Sequence, residues 1–198
     1  MGNAMYKTGC KTALLSGMLW LVGCSDPSWQ TKDISELMPP LEFELVDEEA
    51  RSVTEADYAG DVTLLFFGFT HCPHICPATL TNLAAISQEL GEEAQNDLRV
   101  LFVSVDPERD DPATLREYTD AFGPEFTGLT SDEEALQALT RRYRVTYGYG
   151  EKDEAGNYDV SHSNAVFAFG RDGDAQLLIR EDDPKEAVMA DLSRLLAQ

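Results

Sequence analysis

The residue pattern predicts an α/β domain with a mixed central sheet flanked by helices. Two continuous apolar runs, residues 62–69 and 98–105, read as central strands covered on both faces. Helical stretches alternate with these strands, and a hairpin and a last helix then finish the chain.

At the N-terminus, residues 1–23 carry Lys7 and Lys11, no acid, and a stretch of about ten apolar residues. This is the plan of a secretory signal, too short to cross a bilayer comfortably. It ends in Leu21, Val22, Gly23 and Cys24, which resembles the lipobox of bacterial lipoproteins. That resemblance implies cleavage before Cys24 and lipid on that cysteine; the alternative is an ordinary signal in which Cys24 is incidental. Residues 24–40 show no periodicity and read as a tether, and residues 41–198 as the domain.

Leu41, Phe43 and Leu45 alternate with Glu42 and Glu44, the mark of a half-buried strand. After the strand at 62–69, a helix is predicted from about Pro77 to Leu90, with Leu80, Leu83, Ile86 and Leu90 as its apolar stripe and Gly91 at its end. Asp111 and Pro112 open a second helix carrying Leu115, Tyr118, Thr119 and Phe122. Residues 131–134 form a capping box for a third, which runs through Tyr143. Residues 145–160 suggest two short strands around a polar turn at 153–157. Strands at 165–169 and 175–179 make a hairpin across residues 170–173, and residues 183–186 form a capping box for the last helix, with Pro184 at its first position.

Charge narrows the partners. The 198 residues carry 15 basic and 36 acidic side chains, a net −21. No basic surplus exists to displace counterions from phosphates, so nucleic acid is excluded, as is attachment to anionic lipid by charge alone. Removal of residues 1–23 takes away both early lysines and leaves 175 residues at −23. Of four cysteines, Cys10 goes with the signal and Cys24 serves the anchor, so Cys72 and Cys76 remain in the domain.

Those two carry the chemistry. The segment Cys72-Pro73-His74-Ile75-Cys76-Pro77 follows the buried strand and enters a helix. Cysteines at i and i+4 on a first turn face the same way, with Cα atoms roughly 6 Å apart. That spacing suits a disulfide and equally suits two thiolates on one metal. A helix N-terminus and two nearby imidazoles favour the thiolate, the species that ligates or attacks. A bridge closing so short a loop stabilises little.

The buried strand ending in Phe69-Thr70, the Cys72-Pro73/Cys76-Pro77 pair, the stretch from Val103 to Asp110 and the run Val160-Ser161-His162-Ser163 together resemble the Sco/SenC family over about residues 35–198. These are thioredoxin-fold copper proteins that assist cytochrome c oxidase assembly. The resemblance implies a thioredoxin-like fold, copper, Cu(I) or Cu(II), as the metal, Cys72 and Cys76 as thiolate ligands and His162 as the third. It implies a copper metallochaperone outside the cytoplasm, membrane-anchored as a lipoprotein, whose partners are the oxidase's CuA-bearing subunit and other periplasmic copper carriers or thiol–disulfide proteins. Asp106, at the end of a strand, is a candidate for a supporting hydrogen bond to the site. His74 stands where the family carries an acid and offers an auxiliary ligand; His71 is not expected to ligate.

The competing function is a membrane-tethered thiol–disulfide oxidoreductase with Cys72 as nucleophile and Cys76 as resolver. Against it, such enzymes use two-residue spacing between the cysteines and a proline in the loop facing them. Here the spacing is three, and the loop reads Ser161-His162-Ser163-Asn164. A peroxiredoxin lacks its threonine, since Phe69 stands there, and a structural zinc site lacks a second thiolate pair.

Overall fold

In the computed structural model, residues 1–2, 28–154 and 156–198 are described. The expected signal, Cys10 and Cys24 lie outside them.

The apolar runs form the centre of the sheet. Strands β4 (Val62–Gly68) and β5 (Leu98–Ser104) pair in parallel, with Val62 opposite Leu98, and every residue of β4 is buried. Around them the order is β1 (Lys32–Asp33), β10 (Ala175–Ile179), β9 (Val166–Phe169), β4, β5, β6 (Phe126–Thr130), β2 (Glu44–Asp47) and β3 (Ser52–Thr54). The β4–β5 and β5–β6 pairs are parallel and the remainder antiparallel, so the sheet is mixed, as expected. A separate ribbon pairs β7 (Tyr147–Tyr149) with β8 (Val160–His162).

The period-2 pleat divides the core into two layers. Leu64, Phe66, Val100 and Phe102 face α1 (Ile75–Leu90), α3 (Pro112–Thr119) and α5 (Lys185–Leu196). Leu65, Phe67, Leu101 and Val103 face α4 (Glu133–Arg142) and the N-terminal segment through Ile34, Leu41 and Phe43. A short helix α2 (Glu92–Asp97) leads from Gly91 into β5. This is the thioredoxin-like α/β arrangement the resemblance implies.

Several local expectations need correction. The stretch expected to be a tether, residues 24–40, is not free over its second half. Lys32 and Asp33 add a strand to β10, Ile34 is buried, and the Asp191 carboxylate accepts from the backbone of Gln30 and Thr31 at 2.7–3.1 Å. Backbone pairing and one distant carboxylate hold it, and neither leaves a hydrophobic period. Residues 30–34 are therefore joined to the sheet edge and to α5. Strand β6 was not expected: Phe126-Thr127-Gly128-Leu129-Thr130 is short and has a central glycine, and it forms because β5 offers it a parallel edge. Helix α1 starts at Ile75, two residues before Pro77, because a proline within the first turn gives up an amide that has no helical partner anyway. The cap of α4 is Asp132, which accepts from Ala135 N at 2.9 Å, not Ser131. At α5 the expected box is absent: Pro184 is the cap, and Asp183 instead accepts from Arg180 N at 2.8 Å.

Candidate metal centre

Strand β4 ends at Gly68, and the chain turns through Phe69–Cys72, closed by Cys72 N donating to Phe69 O at 3.1 Å, before α1 begins. Cys72 is half-buried and Cys76 fully buried; both are free thiols. The amide of Cys76 donates to Cys72 Sγ at 3.4 Å, so one of the helix's unpaired N-terminal donors points at sulfur.

His162 arrives from a distant part of the chain, 86 residues after Cys76. The β7–β8 ribbon places it opposite Tyr147, and its Nε2 stands 3.4 Å from Cys76 Sγ. Its Nδ1 lies 2.9 Å from Ser163 O. A carbonyl only accepts, so Nδ1 carries the proton and Nε2 turns its lone pair toward the sulfurs. Phe69 fixes the ring edge-on, with centroids 5.6 Å apart and planes at 86°, and Phe66 adds a second edge contact at 6.2 Å. The two sulfurs and a nitrogen of His162 all lie within 4.8 Å of one another. A group of two soft sulfurs and one imidazole on a partly buried turn is a metal-ligand set.

Burial pushes the Cys76 thiol well above its ordinary value, and the neighbouring Cys72 and Asp110 charges push the same way, against a lowering contribution from the Phe69 backbone. Without a metal, Cys76 is therefore a thiol whose S–H points at His162. A bound cation displaces that proton.

Sequence reasoning missed two supporting residues. Gly68 has no room for a side chain: a Cβ there would stand 2.6 Å from Cys76 Sγ and 2.6 Å from the Phe102 ring. A glycine inside an otherwise bulky apolar strand was the available signal. Asp110 is the acid that holds the cysteine turn. It is fully buried and accepts from Thr70 N at 2.9 Å, Thr70 Oγ1 at 2.6 Å and Ser104 Oγ at 2.6 Å. Asp106, favoured from sequence, is also buried, but its carboxylate accepts from Tyr158 Oη at 2.6 Å and from Arg109 Nε. It reaches the trio only indirectly, since the Arg109 guanidinium lies 5.7 Å from the Phe69 ring centre. His74 caps α1 with its backbone and is exposed, and His71 is exposed with its Nδ1 3.1 Å from Thr70 Oγ1.

Because Asp110 alone satisfies three donors, Asp110→Ala leaves buried Ser104 and the Thr70 turn unpaired. The expected loss is roughly 2–4 kcal/mol in denaturant unfolding.

The family profile described as SCO1/SenC matches residues 36–197. The mouse mitochondrial SCO2 homolog is 37% identical over 166 residues, covering 79% of this chain and 64% of the relative. The human mitochondrial SCO1 homolog is 38% identical over 67% of this chain and 44% of its own length. The chain thus spans about half to two thirds of these curated relatives. Among solved structures, Arabidopsis thaliana ScoI with copper bound superposes with a TM-score of 0.73 at 32% identity, covering 80% of this chain and 98% of that one. Bradyrhizobium japonicum ScoI with copper bound gives 0.71 at 34%, covering 79% and 98%. On the profile match over most of its length and on these identities, the chain belongs to the SCO1/SenC family.

Proposed function

We propose that the chain is a copper metallochaperone that delivers copper to the CuA centre of cytochrome c oxidase. The observation that carries this reading is the convergence of Cys72, Cys76 and His162 within 4.8 Å, with Nε2 aimed at the sulfurs. Two thiolates suit Cu(I), and an added imidazole lets the same set hold Cu(II), as a carrier exchanging copper with other proteins requires. Two relatives over 30% identical were solved with copper bound. Cys72, half-buried at the mouth of the turn, gives an acceptor a way to reach the metal.

The reading includes location. A signal at residues 1–23, lipidation at Cys24 and the tether that follows it hold the domain on the outer side of a membrane, within reach of the oxidase's CuA subunit and of periplasmic copper donors. The acidic surface, at net −21 over the chain, keeps the domain soluble and suits electrostatic recognition of basic partners.

The test mixes the copper-loaded protein with a metal-free soluble CuA domain. With the protein supplied half as its Cu(I) and half as its Cu(II) form, one of each per acceptor, appearance of the mixed-valence CuA spectrum with matching loss of copper from this chain is the expected result. Retention of all copper here, together with rapid turnover of a dithiol–disulfide substrate, overturns the carrier in favour of an oxidoreductase.

A further inference from the structure

The sulfurs stand on the turn from β4 into α1, whereas the imidazole stands on the β7–β8 ribbon, a sheet of its own. The ribbon takes no place in the main sheet, so side-chain and loop contacts must set its distance from the cysteine turn. One segment, residues 104–110 between β5 and α3, reaches both. At its far end Asp110 holds the turn through Thr70. Ser104 Oγ donates to Asp110 at 2.6 Å and accepts from the Asp106 amide at 3.0 Å, which ties the two acids into one unit.

Asp106 and Arg109 hold the ribbon. Buried Tyr158, four residues before His162, is gripped at three points. Its hydroxyl donates to Asp106 at 2.6 Å, its carbonyl accepts from Arg109 Nη1 at 3.1 Å, and the guanidinium lies 3.7 Å from the centre of its ring. Arg109 Nε also donates to Asp106. The same guanidinium lies 5.7 Å from the centre of the Phe69 ring, which meets His162 edge-on at 5.6 Å. Arg109 thus touches the strand that carries the imidazole and the wall on which the imidazole rests. Outside this core, Lys152 pairs with Glu108 at 2.7–2.9 Å and the Tyr149 hydroxyl donates to Val105 O, further links between the ribbon and the same segment.

Resting on the reading of the trio as a metal centre, we propose that Arg109 is a positioning residue that holds His162 against the sulfurs. A planar guanidinium can stack on one ring while it donates to a carboxylate and a carbonyl, which a lysine ammonium cannot do at once. Without it the ribbon is free to draw away from the turn, while the cysteine pair keeps its place because Asp110 holds it separately. The effect is therefore selective. Cu(II), which needs the imidazole, feels Arg109 more than Cu(I), which the thiolates hold.

Arg109→Ala in the full chain tests this. Cu(II) affinity should fall about tenfold, and by a larger factor than Cu(I) affinity measured by chelator competition. The thiolate-to-Cu(II) band should weaken or shift toward that of His162→Ala. In the metal-free protein, amide exchange at residues 147–149 and 160–162 should quicken about tenfold, while β4 keeps its wild-type rates. In a His162→Ala background, Arg109→Ala should leave the Cu(II) spectrum without further change, because its route to the metal has gone. Should the alanine variant fail to fold, Arg109→Gln keeps the stem and an amide donor beside Asp106 and is read in the same way. Wild-type Cu(II) affinity and wild-type ribbon exchange in a folded Arg109 variant overturn the proposal. A spectral change equally large with and without His162 also overturns it. If His162→Ala alone leaves the Cu(II) spectrum as in the wild type, the metal-centre reading itself fails, a result seen without any Arg109 variant.

Discussion

Cys76→Ser is expected to abolish tight copper binding while leaving the domain folded. The replaced sulfur is the fully buried one, and it is the group that faces His162 Nε2 at 3.4 Å. Serine offers a hard oxygen that stays protonated, leaving one thiolate and one imidazole, a poor set for Cu(I). Affinity should fall by well over the roughly 10- to 100-fold that loss of a mere supporting residue costs. The fold survives because the serine hydroxyl is smaller and can donate to the same Nε2, so unfolding should change by about 1–2 kcal/mol. Chelator competition and denaturant unfolding on the same preparation read both quantities.

The same residue gives the metal-free protein an alkaline limb. The thiol's folded-state value is raised above its ordinary 9.0 by burial. The stability from keeping it protonated is therefore complete below about 9 and is lost as pH climbs toward the raised value. Metal-free wild type should weaken in that window, and Cys76→Ser should lack that part of the loss. Half-buried Tyr58, pushed up to about 12 chiefly by burial, adds a loss of the same sign that begins higher. Copper affinity has the opposite slope, rising with pH, because binding releases the proton.

His162→Ala is the second large effect, and of a different kind. It removes the nitrogen ligand and opens a space between Phe66 and Phe69 that the imidazole fills edge-on. Two thiolates remain, Cys72 in the turn before α1 and Cys76 in its first turn, so Cu(I) is still held, about tenfold or more weakly. Cu(II) loses the ligand that suits it best, and its thiolate charge-transfer band should collapse or shift strongly. A variant that keeps wild-type Cu(II) spectra would remove His162 from the centre.

The contrast between these residues and their supports shows what a single sequence discloses. Cys72 and Cys76 are legible because their relation is local: only four positions separate them, and the short turn from β4 into α1 keeps both sulfurs together. His162 is legible only through its place in a family pattern, since 86 residues separate it from Cys76 and only the β7–β8 ribbon brings it in. Asp106 and Asp110 are the instructive pair. Both are buried acids four residues apart beyond β5, and which one bonds the cysteine turn depends on how β4 and β5 align their ends. Their order in the chain carries no such information. The central strands announced themselves by unbroken apolar runs, whereas β6 and the β1 segment are held mainly by neighbouring backbone, which has no residue code.

The central claim is a copper site made of two sulfurs and one imidazole, and the ultraviolet–visible titration of the reduced wild-type protein with Cu(II) tests it most directly. The account predicts thiolate-to-copper charge transfer that saturates at one copper per chain and vanishes in the Cys72→Ser/Cys76→Ser variant. Stoichiometric copper retained by that variant, or copper bound by the wild type with no charge-transfer band, would contradict it.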